Sequence, residues 1–230
     1  MKSAHLIRIP DRGVTEQLVT FMDDFVLEKA SQGESLLDIG CGRGVFTRKL
    51  AEKFKNVTGI DIIKEEIVKG GGHDGRGAFS IMDANQLGIK DESFDTIISR
   101  YVFHHLDLKR VPQEVKRCLK PGGKFVMVDT EETFWRLSSR ICYFFFGVNH
   151  MGIVNFLKIL PDLLGYFFTK ETRAHRREDI LRLKRETRFT VDDFIKTYKQ
   201  CFPGAEVGVY RWAGYVVWQK PVSNSDVSLF

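Results

Sequence analysis

The stretch that decides the fold is Asp38-Ile39-Gly40-Cys41-Gly42-Arg43-Gly44, a glycine-rich turn that follows a short apolar run. That run, residues 35–39, predicts a buried strand, and the apolar spacing of a helix resumes over residues 46–53. Glycines let a ligand approach the backbone closely, and the helix that follows points its N-terminal N–H groups at that ligand. The stretch therefore predicts a strand, a turn and a helix that together bind a small molecule.

Strands and helices alternate on the C-terminal side of this turn. Helical spacing returns over residues 65–69 and 111–119, and Pro121-Gly122-Gly123 predicts a turn. This alternation is typical of a parallel sheet with helices on both faces. The further predicted strands cover residues 57–61, 78–82, 94–99 and 124–129.

The two ends of the chain complete this arrangement. Apolar residues at helical spacing predict a first helix over residues 14–26. Near the other end, the hydroxyl of Thr190 can cap the helix that follows it. Residues 205–212 and 215–219 then predict two strands joined by Ala213-Gly214, which would close the sheet as an antiparallel hairpin.

The charge beside the glycines discriminates between two classes of ligand. A dinucleotide-binding turn has the pattern G-x-G-x-x-G, whereas here the third glycine, Gly44, comes one residue early. Asp38, two residues before the first glycine, would repel a pyrophosphate, but it suits a ligand that carries an amino group and a sulfonium. The pattern therefore favours S-adenosylmethionine, and an NAD-dependent oxidoreductase remains the alternative.

Two more carboxylates stand at the ends of predicted strands. Asp61 ends the second strand, where an acid can accept hydrogen bonds from both ribose hydroxyls. Asp83 follows the third strand and can accept from an adenine amino group, while the Ala84 N–H can donate to a ring nitrogen. Open α/β sheets bind ligands at the carboxyl ends of their strands, so we expect Asp38, Asp61 and Asp83 to share one site.

Five segments resemble successive motifs of the class I methyltransferases, nearest to the small-molecule family typified by ubiquinone and menaquinone biosynthesis enzymes. The segments are LLDIGCGRG, VTGIDI, IMDANQL, DESFDTIISRYVFHHL and LKPGGKFVMVD. The resemblance covers residues 36–129, with a weaker match in the final helix and hairpin. It implies a three-layer Rossmann-like, doubly wound α/β sheet of seven strands with the last strand antiparallel, and S-adenosylmethionine as the cofactor.

The resemblance also implies roles for individual residues. Ile62 would pack on the adenine face, while Ser99 and Arg100 would line the methionine end through their backbone. Arg43 stands where a small hydroxyl residue is common, so its side chain would reach the cofactor carboxylate or face solvent. The cofactor-binding candidates are Asp38, Gly40, Cys41, Gly42, Gly44, Asp61, Ile62, Asp83, Ala84, Ser99 and Arg100.

The catalytic candidates are Tyr101, His104 and His105, which follow the fourth strand beside the expected methyl group. Positioning can supply up to ~7–11 kcal/mol in favourable cases, and a base is needed only when the acceptor must lose a proton. His104 is the first candidate for that base, with His105 behind it; alternatively, the pair packs against or caps the following helix. Tyr101 is expected to line the acceptor pocket.

Three carboxylates around the end of the fifth strand are expected to be solvated groups at the rim of the site: Asp129, Glu131 and Glu132. No metal is expected, because no His, Cys and carboxylate cluster has ligand spacing and the adjacent histidines should point apart on a helix. No basic-aromatic nucleic-acid motif and no Asn-Pro-Pro-Tyr type motif is found, so a nucleic-acid partner is not expected.

The composition predicts one domain over residues 1–230. Hydrophobic residues make up 43% and charged residues 28%, which argues against disorder, and the net charge of +5 permits an acidic substrate without requiring one. The N-terminus has no apolar signal core, so a cytoplasmic location is expected. Four cysteines without a CxxC pair, interpreted as reduced thiols, agree with it: Cys41, Cys118, Cys142 and Cys201.

An insertion over residues 132–188 follows the fifth strand. Residues 134–168 contain ten aromatics and four charged residues, whereas residues 169–188 contain eight Lys or Arg and four Asp or Glu. We interpret the segment as a helical lid that forms a hydrophobic acceptor pocket. Three alternatives are left open: peripheral contact with an anionic membrane, an ordinary helical subdomain whose aromatics pack on each other, and a homodimer interface.

These observations converge on a methyltransferase that acts on a small, hydrophobic or aromatic acceptor. A protein or RNA methyltransferase remains the alternative within the enzyme class. A non-catalytic, cofactor-binding partner subunit is the alternative outside it, because intact binding motifs do not by themselves require turnover.

Overall fold

The computed structural model describes residues 14–30, 33–70, 75, 77–130, 189–210 and 213–222. The predicted lid lies outside these residues. Within the described parts of the chain, no helix has the length and apolar character needed to cross a bilayer. The elements are α1 (Val14–Lys29), β1 (Gly33–Ile39), α2 (Val45–Leu50), β2 (Phe54–Asp61), α3 (Lys64–Gly70), β3 (Ala78–Ile81), β4 (Phe94–Arg100), a 3-10 turn (Phe103–His105), α4 (Val111–Cys118), β5 (Leu119–Thr130), α5 (Val191–Cys201), β6 (Glu206–Tyr210) and β7 (Ala213–Gln219).

The seven strands form one sheet in the order β3-β2-β1-β4-β5-β7-β6. Strands β1 to β5 pair in parallel, and β7 runs antiparallel to both of its neighbours. The predicted seven-stranded sheet with an antiparallel last strand is therefore confirmed. The chain leaves β1 toward β2 on one side and returns to β4 on the other, so the gap between β1 and β4 is the switch point where such sheets bind ligands.

Consecutive residues of β1 face two different apolar layers, as the alternation of a strand requires. Leu36 packs with Val26 of α1 on one face of the sheet. Leu37 packs with Val115 of α4 and Phe194 of α5 on the other face. The predicted three-layer arrangement is confirmed, and both layers hold the carboxyl edge of the sheet in place.

The start of β5 differs from the prediction. Leu119, predicted to end a helix, instead pairs with Phe94, and the predicted turn at Pro121-Gly122-Gly123 lies within the strand. Pro121 disfavours helical backbone at the residue before it, and Gly122 takes a φ of 75° that few other residues adopt. The glycines thus produce a shift of register between Phe94 and Thr96 rather than a chain reversal.

The hairpin connection was also predicted wrongly. Ala213 and Gly214 belong to β7, where they pair with Tyr210 and Val209 of β6. Gly214 is required by packing, because a Cβ at this position would lie 2.3 Å from the Cζ atom of Phe194. A glycine that makes room for an aromatic ring has the same sequence signature as a glycine in a turn.

Candidate functional site

In the turn after β1, two of the three glycines lie against neighbouring side chains, and the third faces open space. Gly40, Gly42 and Gly44 take φ values of 75°, 52° and 70°. A Cβ on Gly40 would lie 2.3 Å from Val102, and one on Gly44 would lie 2.3 Å from Phe79, whereas a Cβ on Gly42 would meet nothing within 4 Å. The space in front of Gly42 therefore lets a ligand reach the backbone of the turn.

The carboxylate of Asp61 is held rigidly beside that open space. Its Oδ2 atom accepts a hydrogen bond from the Gly42 N–H at 2.8 Å, and its Oδ1 atom accepts from the Ile63 N–H at 2.9 Å. A carboxylate has about four acceptor positions, so each oxygen keeps capacity for a second donor. Two hydroxyls on adjacent carbons of a ribose are donors that suit this arrangement.

Asp38 is buried below the turn, with 2% of its surface exposed. Its Oδ2 atom accepts a hydrogen bond from the Thr47 hydroxyl at 2.6 Å. Burial raises the pKa of Asp38 to about 6; nearby Asp61 adds to the rise, while Thr47 and Arg100 oppose it. A buried carboxylate close to an open turn favours a positively charged ligand group. The contact expected between Asp38 and the amino group of the cofactor stays a prediction. Thr47, which fixes this carboxylate, was not identified from the sequence.

The proposed adenine end combines exposed apolar side chains with polar groups. Ile62 is 64% exposed, as expected of a residue that packs on a flat ligand, and Ile81 at the end of β3 is 50% exposed. The Oδ1 atom of Asp83 accepts hydrogen bonds from the backbone and side-chain nitrogens of Asn85, both at 2.8 Å, while Ala84 is buried. Sequence reasoning missed Ile81 and Asn85, since neither stands out until the strand ends are aligned.

The end of β4 uses its side chains to connect neighbouring elements. The Ser99 hydroxyl is buried and donates to the Ile39 carbonyl at 2.9 Å, which ties β4 to β1. Arg100 forms an ion pair with Asp23 of α1, and its guanidinium carbon lies 3.7 Å from the centre of the Phe46 ring. These side-chain contacts do not test whether the backbone of Ser99 and Arg100 lines the methionine end of the cofactor, and that role stays a prediction.

Two other residues of the turn have local partners. The Nε atom of Arg43 donates to Glu66 Oε2 of α3 at 2.9 Å on the protein surface. The Cys41 thiol is half-buried and packs tightly against β2, since a Cβ at Gly59 would lie 2.9 Å from its Sγ atom. Burial, with Asp38 and Asp61 adding to the effect, raises the pKa of Cys41 well above its usual value, so the thiol stays protonated.

Tyr101 has an unusual backbone for a residue with a side chain. Its φ is 57°, in the left-handed region, and its N–H donates to the Val128 carbonyl at 2.8 Å. Strained backbone of this kind concentrates at functional sites. Burial raises the pKa of Tyr101 to about 12, so its phenol is neutral at ordinary pH and suits a pocket wall better than a base.

His104 is held by Asp129 from two directions. The Nδ1 atom of the ring lies 2.6 Å from Asp129 Oδ1, and the backbone N–H of His104 donates to Asp129 Oδ2 at 2.8 Å. Asp129 is only 1% exposed, so the prediction of a solvated rim carboxylate is wrong. The reason is that β5 continues to Thr130 and keeps Asp129 inside the sheet. Glu131 and Glu132 lie outside the described residues.

The two histidines do not point apart. The ring centres of His104 and His105 lie 3.9 Å apart on the 3-10 turn, whose short length lets both rings swing to the same side. The described residues contain no group of three His, Cys, Asp or Glu side chains that could bind a metal ion.

The chain resembles known proteins over its central part. Residues 37–127 match the family model described as a methyltransferase domain. Over these residues the chain is similar to class I methyltransferase domains. That class uses S-adenosylmethionine as its cofactor, and the open space at Gly42, the fixed Asp61 carboxylate and the buried Asp38 carboxylate fit this molecule.

Curated relatives support the same domain. The 2-methyl-6-phytyl-1,4-hydroquinone methyltransferase of Synechocystis sp. is 33% identical over 138 residues, which cover 54% of this chain and 43% of that protein. The 27-O-demethylrifamycin SV methyltransferase of Amycolatopsis mediterranei is 33% identical over 105 residues, covering 42% of this chain and 39% of that protein. The chain thus matches less than half the length of either relative.

A solved structure supports the fold over more of the chain. The crystal structure of a SAM-dependent methyltransferase from Methanosarcina mazei is 22% identical, with a TM-score of 0.55. The match covers 86% of this chain and 98% of that protein. At this identity the similarity shows the fold, and the chemistry has to be argued from the residues of the site.

Proposed function

We propose that the protein transfers a methyl group from S-adenosylmethionine to a small, hydrophobic or aromatic acceptor. The observation that carries this proposal is the Asp61 carboxylate, fixed by the Gly42 N–H beside the open space of the glycine turn. A turn without a ligand would not need a carboxylate with spare acceptor positions at its mouth.

The cofactor would lie along the carboxyl edge of β1, β2 and β4. Asp61 would accept from the ribose hydroxyls, Asp38 would attract the amino group, and Ile62 would cover the adenine face. Asp83 and the Ala84 N–H would recognise the edge of the adenine. When bound, S-adenosylmethionine supplies a methyl group on a positively charged sulfur, which is already activated for transfer. The protein then has to bind the cofactor and the acceptor, orient them for transfer and exclude water.

The acceptor would reach the methyl group from the side of the 3-10 turn. Tyr101 would form part of the pocket wall, and His104 would face the acceptor, with His105 packed against it. The relatives named above act, by their names, on a hydroquinone and on a rifamycin, which supports a small-molecule acceptor. The aromatic composition of residues 134–168 supports a hydrophobic one.

A labelled methyl group tests this function directly. The protein is incubated with tritium-labelled S-adenosylmethionine and an extract of cellular small molecules, protein and RNA, and the products are separated into organic, protein and RNA fractions. We expect tritium in the organic fraction. Label that appears only in protein or RNA would contradict the small-molecule acceptor, and binding of cofactor with no label in any fraction would favour the non-catalytic partner subunit.

A further inference from the structure

The connection between β3 and β4, here called the crossover segment (residues 82–93), carries the two residues expected at the edge of the adenine, Asp83 and Ala84. We propose, on the basis of the function proposed above, that Arg117 of α4 is a positioning residue for the adenine, because it fixes the shape of this segment. Arg117 acts on the ligand only through Asp83 and Ala84.

The crossover segment contains no helix and no strand. It leads from the edge strand β3 past β2 and β1 to β4, a path on which parallel strands are usually connected by a helix. In a helix the backbone groups would bond to one another, whereas in this segment they need partners from elsewhere in the molecule. The shape of the segment therefore depends on the groups to which its backbone bonds.

Leu87, in the middle of the crossover segment, receives its partners from α4. This residue is only 4% exposed. Its N–H donates to Glu114 Oε2 at 2.8 Å, and its carbonyl accepts from Arg117 Nη2 at 2.9 Å. Arg117 Nη1 also donates to the Ile89 carbonyl at 2.6 Å. Two side chains of one helix thus satisfy both backbone groups of a buried residue.

All five N–H donors of the Arg117 side chain are used in this arrangement. Besides the two carbonyls of the segment, they reach Glu114 Oε1 at 3.0 Å, Glu114 Oε2 at 2.8 Å and Asp91 Oδ1 at 2.6 Å. A guanidinium is planar and presents its donors in fixed directions, so it sets the distance between α4 and the crossover segment. A lysine has three donors on one atom and cannot reach all of these acceptors.

A short turn connects Leu87 to the expected adenine contacts. The Gln86 N–H donates to the Asp83 carbonyl at 3.2 Å, which closes a turn directly before Leu87. Ala84, inside that turn, is buried in the same apolar cluster as Leu87. A displacement of Leu87 would therefore displace Ala84 as well.

The turn leaves one acceptor and one donor for the edge of an adenine. Asp83 Oδ1 is occupied by two N–H groups of Asn85, whereas Oδ2 has no partner among the residues that the structure describes. In the same parts of the chain, the Ala84 N–H has no acceptor either. An acceptor beside a donor matches the 6-amino group and the neighbouring ring nitrogen of adenine. Discrimination between adenine and another purine then depends on the relative position of these two groups.

Two ligands that differ only at this edge test the inference by calorimetry. S-adenosylhomocysteine has an amino group and a ring nitrogen with a lone pair, whereas S-inosylhomocysteine has a carbonyl oxygen and a ring N–H at these places. The wild type should bind the first ligand roughly 100-fold more tightly or better, because both polar contacts are mismatched in the second. The ribose and methionine parts are identical, so general damage to the site weakens both ligands alike.

Arg117→Lys should reduce this preference for adenine roughly tenfold, because Asp83 and Ala84 are no longer held in place. A merely structural role of Arg117 would lower the thermal stability and both affinities but would leave their ratio unchanged. An unchanged ratio in the folded variant would therefore overturn the inference. If Arg117→Lys does not fold, Glu114→Gln is the milder change, since it replaces one acceptor oxygen of the same arrangement, and the same outcomes apply to it.

Thr96→Val is the matched control for stability. The buried Thr96 hydroxyl donates to the Ala30 carbonyl at 3.2 Å, and its loss should lower the stability without changing the ratio of the two affinities. An equal fall of the ratio in this control would overturn the inference, because the ratio would then follow stability alone. A wild type that binds both ligands equally would overturn the adenine contacts on which the inference rests. A wild type that binds neither ligand would instead remove the proposed function.

Discussion

The Oδ2 atom of Asp61 accepts a hydrogen bond from the backbone N–H of Gly42 at 2.8 Å, which joins the end of β2 to the centre of the glycine turn. The carboxylate that we propose to bind the ribose and the turn that we propose to contact the rest of the cofactor are therefore one structural unit. A change on either side of this bond should alter ligand binding before it alters the fold.

Gly42→Ala should weaken cofactor binding more than it weakens the protein. The added methyl group points into the open space in front of the turn, where the ligand would lie, and the φ of 52° adds a strain of about 1–2 kcal/mol. Calorimetry with S-adenosylhomocysteine and thermal unfolding measure the two effects.

Gly204→Ala is the matched control. Gly204 has a φ of 81° and also has nothing within 4 Å of an added Cβ, but it lies in the turn between α5 and β6. It should show a similar loss of stability and no loss of affinity. Equal affinity in Gly42→Ala and the wild type would mean that the ligand does not approach Gly42.

Asp38→Asn should stabilise the protein without its ligand above pH 6. The pKa of Asp38 rises from 3.8 to about 6 on folding, because burial disfavours the charged form. Between these values the unfolded chain releases the proton and the folded protein keeps it, so the folded state loses stability as the pH rises, by up to about 3 kcal/mol. Urea unfolding at pH 4 and pH 7 should show that the variant loses less stability between the two than the wild type does. An equal loss of stability in both proteins would show that the pH dependence does not come from Asp38.

Protonation of Asp38 should weaken cofactor binding, although the same protonation stabilises the folded protein without its ligand. In the proposed site Asp38 would attract the amino group of the cofactor only when it is ionised, so affinity should fall as the pH drops below about 6. Thr47 and Arg100 favour the ionised form and Asp61 disfavours it, so all three affect the midpoint. Calorimetry across this pH range should give a fall in affinity that is much smaller in Asp38→Asn. A fall of equal size in the variant would assign the proton to another group.

Tyr198→Phe should raise the stability of the protein. Tyr198 is fully buried in α5, and among the described residues its hydroxyl has no hydrogen-bond partner. A buried unsatisfied group costs about 1–3 kcal/mol, which the phenylalanine removes without changing the ring contacts. Tyr215→Phe is the control, because that hydroxyl donates to Glu206 Oε1 at 3.4 Å and its loss should bring no gain. A less stable Tyr198→Phe protein would show that the hydroxyl has a partner in solution.

The sheet and the carboxylates at the ends of its strands could be predicted from the sequence because their signals are local. The spacing of Asp38, Asp61 and Asp83 between apolar runs places all three at strand ends, where the structure has them. The relation between His104 and Asp129 could not be predicted, because 25 residues separate them and their contact depends on where β5 ends. Sequence patterns identify strands well, but the last buried residue of a strand depends on the packing above it.

The positions of glycines show the same limit. Gly40 and Gly44 were recognised because they follow a strand in a known pattern, whereas Gly214 was assigned to a turn. Its true role is to let Phe194 pack against β7, a contact between elements with no signal in the neighbouring residues. Packing between distant segments is the part of the fold that a single sequence does not reveal.

Calorimetric titration of Asp61→Ala with S-adenosylmethionine tests the central claim most directly. The wild type should bind, and the variant should bind roughly 10- to 150-fold more weakly, corresponding to the ~1.5–3 kcal/mol of a hydrogen bond to a charged group. Asp192→Ala, which removes an exposed carboxylate on α5, should bind like the wild type. A folded Asp61→Ala protein that binds as tightly as the wild type would contradict the claim that the glycine turn and Asp61 form the cofactor site.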